Sequence, residues 1–246
     1  MPSPLIRRAH LGAVIAAAVF SRGAAAQSAD SIIALNVAAR GGPAALRAIR
    51  TERLVGRIEL GPGLAGNDTV ELERPLHVRT SIHLGDRALV QASDGRTTWT
   101  INPFAGDSVA HLMDADQARN VEAGADFDGP LVDYAAKGNH VTTAGVDTAD
   151  GRPAWALNVV TADGLHDRYF IDMQSHLQTK WTGERVVNGD TVVFESYFRD
   201  YRRIGGVMIA FRIDSDTRGR PGGQHIMVER AEVNVPIDPS RFRMPR

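Results

Sequence analysis

The feature that most constrains this fold is an apolar-polar alternation with a period of two residues, which recurs along most of the chain. It is clearest over residues 76–84, where one set of alternate side chains is apolar or threonine and the other is polar. Successive side chains of a strand point to opposite faces, so the pattern predicts a strand with one buried and one hydrated face. Turn pairs such as Asp94-Gly95 and Gly205-Gly206 separate these segments and predict an antiparallel meander.

The same alternation predicts further strands over residues 54–60, 68–74, 87–93, 97–101, 153–161, 166–172, 177–187, 190–201, 207–214 and 224–233. Residues 29–49 instead predict two short helices, broken at Gly41-Gly42-Pro43, with Asp30 or Ser31 as the cap of the first. The fold class is therefore mainly β with a few helices.

A helical insert interrupts the meander at about residues 113–137. One helix is predicted from Asp114 to Val121, and a second is predicted to open at Asp128-Gly129-Pro130, with Asp128 as its cap, and to end near Gly138. Helices in the middle of a long antiparallel sheet can cover an apolar face that would otherwise meet water.

The first 26 residues have the three zones of a secretory signal peptide. A basic start with Arg7 and Arg8 precedes an apolar run too short to span a bilayer, and Ala24-Ala25-Ala26 follows. Cleavage is predicted near Ala26, which leaves residues 27–246 as a single domain and places the mature protein in the periplasm. General and twin-arginine export both remain open.

Composition excludes several classes of protein. The chain has no cysteine, so it has no disulfide framework, no thiolate metal site and no lipidated cysteine. A net charge of -1 without a basic stripe argues against a nucleic-acid partner.

The sequence carries no motif of a known catalytic site. It lacks a Gly-x-Ser-x-Gly elbow, a His-Glu-x-x-His zinc motif and a phosphate-binding loop. His77 and His83 share a predicted strand face, but six residues at roughly 3.3 Å each put them about 20 Å apart. We therefore predict no enzyme activity, no cofactor and no metal site. A metal-assisted hydrolase using His77, His83, Asp126 or His166 is the alternative.

Apolar side chains on the predicted inner strand faces form a candidate binding cavity for an acyl chain. From the strands we predict Val78, Ile82, Trp99, Trp155, Leu157, Phe194, Phe198 and Phe211 as cavity residues, and from the insert and its approach Phe104, Leu131 and Tyr134. Each of these side chains could instead simply fill a core.

Several segments, taken in order, resemble the LolA-like and outer-membrane lipoprotein-sorting superfamily of periplasmic carriers. They are the stretch 29–33 with 39–42, Asp94-Gly95 with Trp99 and Asn102-Pro103, the stretch 126–134, Gly145, the stretch 169–172, Asp200-Tyr201-Arg202 with Gly205-Gly206, and the stretch 233–238 with Phe242 and Pro245.

This resemblance implies a half-open, strongly curved antiparallel β-barrel with a helical lid over an apolar cavity. It implies a soluble carrier of lipid or of lipoprotein acyl chains, with a role in lipoprotein sorting or lipid transport and with inner- and outer-membrane transport proteins as partners. It also implies an arginine that anchors the helices, for which Arg57, Arg74 and Arg79 are candidates. A non-catalytic envelope sensor or scaffold with the same fold is a further alternative.

Overall fold

The computed structural model describes residues 27–106, 108–187, 190–218 and 222–245. These residues include three α-helices, Ala29–Ala39 (α1), Gly42–Ala48 (α2) and Ala115–Ala123 (α3). The strands of the first half are Thr51–Leu60 (β1), Ala65–Glu73 (β2), His77–Leu84 (β3), Arg87–Ser93 (β4), Thr98–Ile101 (β5) and His111–Leu112 (β6). Those of the second half are His140–Ala149 (β7), Arg152–Val160 (β8), His166–Asp172 (β9), Gln178–Val187 (β10), Asp190–Ile204 (β11), Val207–Thr217 (β12) and Gln224–Val233 (β13). A short 3-10 helix follows at Pro239–Arg241.

All thirteen strands belong to one open antiparallel sheet, which confirms the predicted fold class. Its order is β6-β5-β4-β3-β2-β1-β13-β12-β11-β10-β9-β8-β7, so each half of the chain is a meander and the halves meet where β1 pairs with β13. The link between β6 and β7 must therefore pass from one free edge of the sheet to the other. We call residues 113–139 the crossing segment and the sheet face that it covers the inner face.

The helices pack on the inner face through the apolar residues that the sequence marks. Ile32 and Ile33 of α1 are buried against Leu157 and Ile171, while Leu46 of α2 packs in a second core cluster with Phe211. The first turn of α1 is capped by Ser28, whose hydroxyl accepts from the Ser31 amide. The predicted cap at Asp30 or Ser31 is therefore wrong, because the helix begins at Ala29.

The crossing segment contains one helix rather than the two predicted. The first is confirmed as α3, which Asp114 caps by accepting from the Gln117 amide. The second is wrong, because residues 130–138 form consecutive turns and not a helix. Gly129 and Asp133 have φ of 72° and 50°, in the left-handed region, and a helix cannot continue through such residues.

The structure also contains β6 and β7, which the alternation pattern did not mark. β7 is an edge strand that is exposed along most of its length, so neither of its faces needs a regular apolar set. A bulge between Thr143 and Val146 further breaks its alternation with β8. The predicted signal peptide, residues 1–26, lies outside the described residues and stays a prediction.

Candidate binding site

A large cavity lies between the inner face of the sheet and the crossing segment, with a volume of about 850 Å³. Its floor comes from strands on both sides of the β1–β13 junction, and its roof comes from α3 and the turns that follow it. The larger apolar side chains in its wall include Leu54, Phe127, Tyr169, Trp181, Phe194, Phe198, Ile209 and Ile213.

Helix α3 spans this cavity with little packing of its own. It lies against β4 and β5 on one side and against β10 on the other, and none of its residues is buried. A second cavity of about 590 Å³ adjoins the first and shares Gln91, Asn120 and Gly124 with it. The roof over the two cavities is therefore held mainly by the residues that flank α3.

An ion pair lies in the cavity wall. Arg185 donates to both carboxylate oxygens of Asp167 at 2.8 and 3.3 Å, and the side chains are only 9% and 5% exposed. The Arg185 guanidinium also lies 5.0 Å from the centroid of the Trp181 ring, a cation-π contact. A paired charge of this kind can line an apolar cavity without leaving an unpaired ion in it.

A second arginine, Arg40, holds the roof from the end of α1. Its guanidinium donates to the carbonyl oxygens of Asp128 and Phe127 at 2.6 and 3.2 Å. Burial lowers the pKa of Arg40, although Tyr201 and the carboxylates of Asp128 and Asp126 act in the other direction. Arg40 therefore ties the turns of the crossing segment to α1.

A third arginine, Arg74, joins three parts of the fold. It lies in the turn after β2 and donates to both oxygens of Asp128 at 2.8 and 2.7 Å. It also donates to the carbonyl oxygens of Ile49 and Leu46 at 2.7 and 3.1 Å. Of the three candidate arginines, Arg74 is thus the one that contacts both α2 and the crossing segment. The predicted helix-cap role of Asp128 is wrong, because its carboxylate binds this guanidinium.

Burial and Arg74 act in opposite directions on Asp128. Burial alone would raise the pKa of this carboxyl, but the hydrogen bonds and charge of Arg74 hold it below its usual range. Nearby, Lys137 donates to Asp126 at 2.6 Å and to the Gly129 carbonyl at 2.9 Å. The turns of the crossing segment are therefore fixed mainly by ionic contacts at both ends.

The structure separates the predicted cavity residues into several groups. Phe194 and Phe198 line the large cavity, and Val78 lines the adjoining one. Four others pack in one core cluster beneath α1, and these are Leu131, Tyr134, Trp155 and Leu157. Phe211 is buried in the cluster beneath α2, and Ile82 is half-buried on the inner face opposite Asp68 and Leu89.

Two predicted cavity residues lie elsewhere. Trp99 is 1% exposed on the opposite face of the sheet, where its Nε1 donates to the Phe242 carbonyl at 2.8 Å. Phe104 lies in the turn after β5 and is 48% exposed. Neither side chain lines the large cavity.

The sequence prediction also missed residues that the structure places in the cavity wall. Trp181 and Tyr169 are cross-strand partners of each other and share a face with Leu157, so strand pairing brings them to the cavity. Correct pairing of these strands, which the alternation alone does not give, would have identified them. Arg40 and Arg185 carried no sequence signal, because their partners are distant in the chain.

The residues of the alternative hydrolase do not form a metal site. His77 contacts Glu73 at 3.1 Å, Asp126 binds Lys137, and His166 is exposed. Within the described ranges, no three or more His, Asp and Glu side chains group as metal ligands. Over those same ranges, no helix combines the length and apolar character that crossing a membrane requires.

Solved structures with the same architecture are found, although the sequences have diverged widely. A LolA superfamily protein from Nitrosomonas europaea matches with a TM-score of 0.60 and 15% identity, over 89% of this chain and 98% of that one. A DUF1329 family protein from Desulfovibrio piger matches with a TM-score of 0.61 and 10% identity, over 87% of this chain and 97% of that one.

A domain from Vibrio parahaemolyticus, named for outer membrane lipoprotein sorting, matches with a TM-score of 0.61 and 8% identity, over 87% of this chain and 97% of that one. No family model matches the sequence, and no curated protein matches it. The chain therefore has the fold of LolA-like proteins, and the resemblance seen in the sequence is confirmed at the level of fold.

Proposed function

We propose that this protein is a periplasmic carrier that holds a lipid, or the acyl chains of a lipoprotein, in the cavity beneath the crossing segment. The observation that carries the proposal is the cavity itself. Its volume of about 850 Å³ falls in the range of about 300–1,000 Å³ that is common for ligand cavities. Its wall combines aromatic and aliphatic side chains from both halves of the sheet.

The energetics of such a site require no catalytic group. Transfer of an acyl chain from water to an apolar wall is worth about 0.8 kcal/mol per CH₂. A chain of many carbons can therefore be held and released reversibly by burial alone. The proposed function is that of a non-enzymatic carrier, which needs neither a cofactor nor a metal.

The roof gives this cargo a path in and out. Helix α3 has no buried residue, whereas the turns after it are held by Arg40 and Arg74. In the proposed mechanism α3 moves away from β10 while those arginines keep the rest of the crossing segment in place. Export through the predicted signal peptide, and exchange of cargo with membrane transport proteins, belong to the same proposal.

Uptake of a fluorescent fatty acid by delipidated protein tests this function. Phe198→Asp places a carboxylate in the cavity wall and is expected to weaken uptake at least about tenfold, because a charge buried without a partner is unfavourable. Phe104→Asp makes the same change at an exposed aromatic outside the cavity and is the matched control. Circular dichroism of both variants checks that the sheet is retained.

The carrier proposal is contradicted if wild-type protein takes up no probe, or if Phe198→Asp and Phe104→Asp bind it equally well. Mass spectrometry of protein purified from periplasm then identifies the natural cargo. A protein partner that still binds a cavity-filled Ser196→Trp variant, together with no uptake of the probe, would favour the scaffold alternative.

A further inference from the structure

A separate pocket lies on the outer face of the sheet, opposite the cavity. The C-terminal segment, residues 234–245, crosses this face, where Thr51 donates to the Val235 carbonyl and Trp99 donates to the Phe242 carbonyl. Between that segment and β3 and β5 is a pocket of about 530 Å³. Its lining consists of Arg79, Trp99, Ile101, Ser240, Arg241, Arg243, Met244 and Pro245.

The pocket has more arginine side chains than carboxylates to pair with them. Arg53 and Arg241 both bind Glu71, at 3.1 and 2.6 Å, and the Glu71 side chain is only 3% exposed. Both carboxylate oxygens are thus already engaged by these two arginines. Within the part of the chain that the structure describes, neither Arg79 nor Arg243 has a carboxylate within ion-pair distance. The charges of Arg243 and Arg241 do help to lower the pKa of the nearby Asp238 carboxyl, but with three arginines in its lining the pocket still carries excess positive charge.

Arg79 has hydrogen-bonding capacity that the protein does not use. Its guanidinium lies 5.6 Å from the centroid of the Trp99 ring and donates once, to the Arg241 carbonyl at 3.0 Å. Its Nε is buried and has no acceptor among the described residues. An unpaired buried donor is unfavourable, and charged donors more so.

Neighbouring charge adds to this cost. Burial lowers the pKa of Arg79, and the positive charge of Arg241 lowers it further, against a smaller opposing effect of Glu71. The fold therefore holds like charges together at a pocket open to ligands. A bound anion would offset this repulsion.

We propose that this outer-face pocket binds a phosphate ester group. A tetrahedral oxyanion accepts hydrogen bonds in several directions, which suits a pocket lined by the guanidinium groups of Arg79, Arg241 and Arg243 and by Ser240. The apolar part of the pocket, from Trp99, Ile101, Met244 and Pro245, would contact the carbon atoms attached to the phosphate. Phospholipid headgroups and free phosphate compounds share this chemistry.

Binding is tested on the full mature chain at low ionic strength. Inorganic phosphate is titrated by calorimetry in one arm. Sedimentation with phosphatidylglycerol vesicles is measured in the other, with phosphatidylcholine vesicles as the neutral comparison. Arg243→Gln is the main variant, because this exposed side chain has no hydrogen bond among the described residues and its loss should leave the fold intact.

Arg243→Gln is expected to weaken binding about tenfold, as loss of one charge-assisted hydrogen bond would do. Arg79→Lys keeps the charge but removes the planar donor edge, and a similar loss is expected. Arg87→Gln, an exposed arginine at the start of β4 outside the pocket, is the matched control and should bind as wild type does.

Binding of phosphate that both pocket variants weaken supports the site with a free phosphate compound as ligand. Sedimentation with phosphatidylglycerol vesicles alone, again weakened by both variants, supports it with a lipid headgroup as ligand. The proposal is overturned if neither probe binds, or if the pocket variants bind as Arg87→Gln does. Since the cavity variant Phe198→Asp leaves this pocket untouched, the two sites are tested independently.

Discussion

The guanidinium of Arg74 and the carboxylate of Asp128 lie side by side, with their nitrogen and oxygen atoms 2.8 and 2.7 Å apart in two parallel hydrogen bonds. The pair joins the turn after β2 to the crossing segment. Arg74 also donates hydrogen bonds to the carbonyl oxygens of Leu46 and Ile49 at the end of α2. One side chain thus fixes two of the elements that cover the inner face, α2 and the crossing segment.

Loss of this contact should destabilise the fold markedly. The side chains of Arg74 and Asp128 are only 18% and 13% exposed, so Arg74→Gln leaves a largely buried carboxylate without its partner. We expect the free energy of unfolding to fall by about 2–4 kcal/mol, measured by urea denaturation. Arg47→Gln is the control. It breaks an ion pair to the same segment at Asp133, but those side chains are 62% and 54% exposed, and a loss below about 1 kcal/mol is expected.

The effects on stability of substituting Arg185 and Asp167, the buried ion pair in the cavity wall, should be strongly coupled. Arg185→Met removes the partner of Asp167, whose side chain is 5% exposed, and should reduce stability by about 3–5 kcal/mol. Combining it with Asp167→Leu removes both charges, and most of that loss should be recovered. A double-mutant cycle measured by urea denaturation checks this, and simple addition of the two single effects would contradict it.

Glu52 should make stability depend on pH. Burial raises the pKa of Glu52 to about 7, and the positive charge of Arg40 offsets this only in part. The carboxyl binds its proton more tightly in the folded state than in the unfolded state. Its contribution to the free energy of unfolding is therefore most favourable below about pH 4.5 and is lost as the pH rises through about 7.

Glu52→Gln should therefore raise the free energy of unfolding at pH 8 by up to about 3 kcal/mol. At pH 4 the substitution should change little, because the carboxyl is protonated in both states. Urea denaturation at pH 4, 6 and 8 measures the difference. Glu59→Gln changes an exposed carboxylate on the same strand, and an equal gain there would argue against burial as the cause.

Gly56 should tolerate no side chain. It lies at a bulge where β1 meets β13, and a Cβ there would be 2.2 Å from the carbonyl oxygen of Met227. We expect Gly56→Ala to destabilise the fold by about 2–3 kcal/mol, visible as a lower Tm. Gly124→Ala at the end of α3 meets nothing closer than 3.3 Å and should change stability by less than about 1 kcal/mol.

The strands were predictable because each has one face that must be buried. The alternation gives β4, β9 and β13 with the bounds that the structure shows, and most other strands within a few residues. It fails at β7, where exposure on both faces removes the requirement for apolar residues at alternate positions.

The crossing segment and the cavity were harder to predict because long-range contacts determine them. The pattern after Asp128 favours a helix, but bonds from Arg40 and Arg74 hold these residues in turns. Trp99 is a large aromatic residue of the kind expected in a cavity wall. Which face of the sheet it occupies depends on its pairing with Ala92, and Ala92 in turn pairs with Arg79. Periodicity shows that a strand has two faces but does not say which of them is inside.

The junction of β1 with β13 has a further consequence for how the protein folds. Other strand pairs join neighbours in the chain, so each meander can form from local hairpins. The entropy of closing the large loop between β1 and β13 falls on that junction alone. Both meanders contribute to the wall of the large cavity. A newly made chain would thus complete the wall of this cavity in one late step, when β1 and β13 pair.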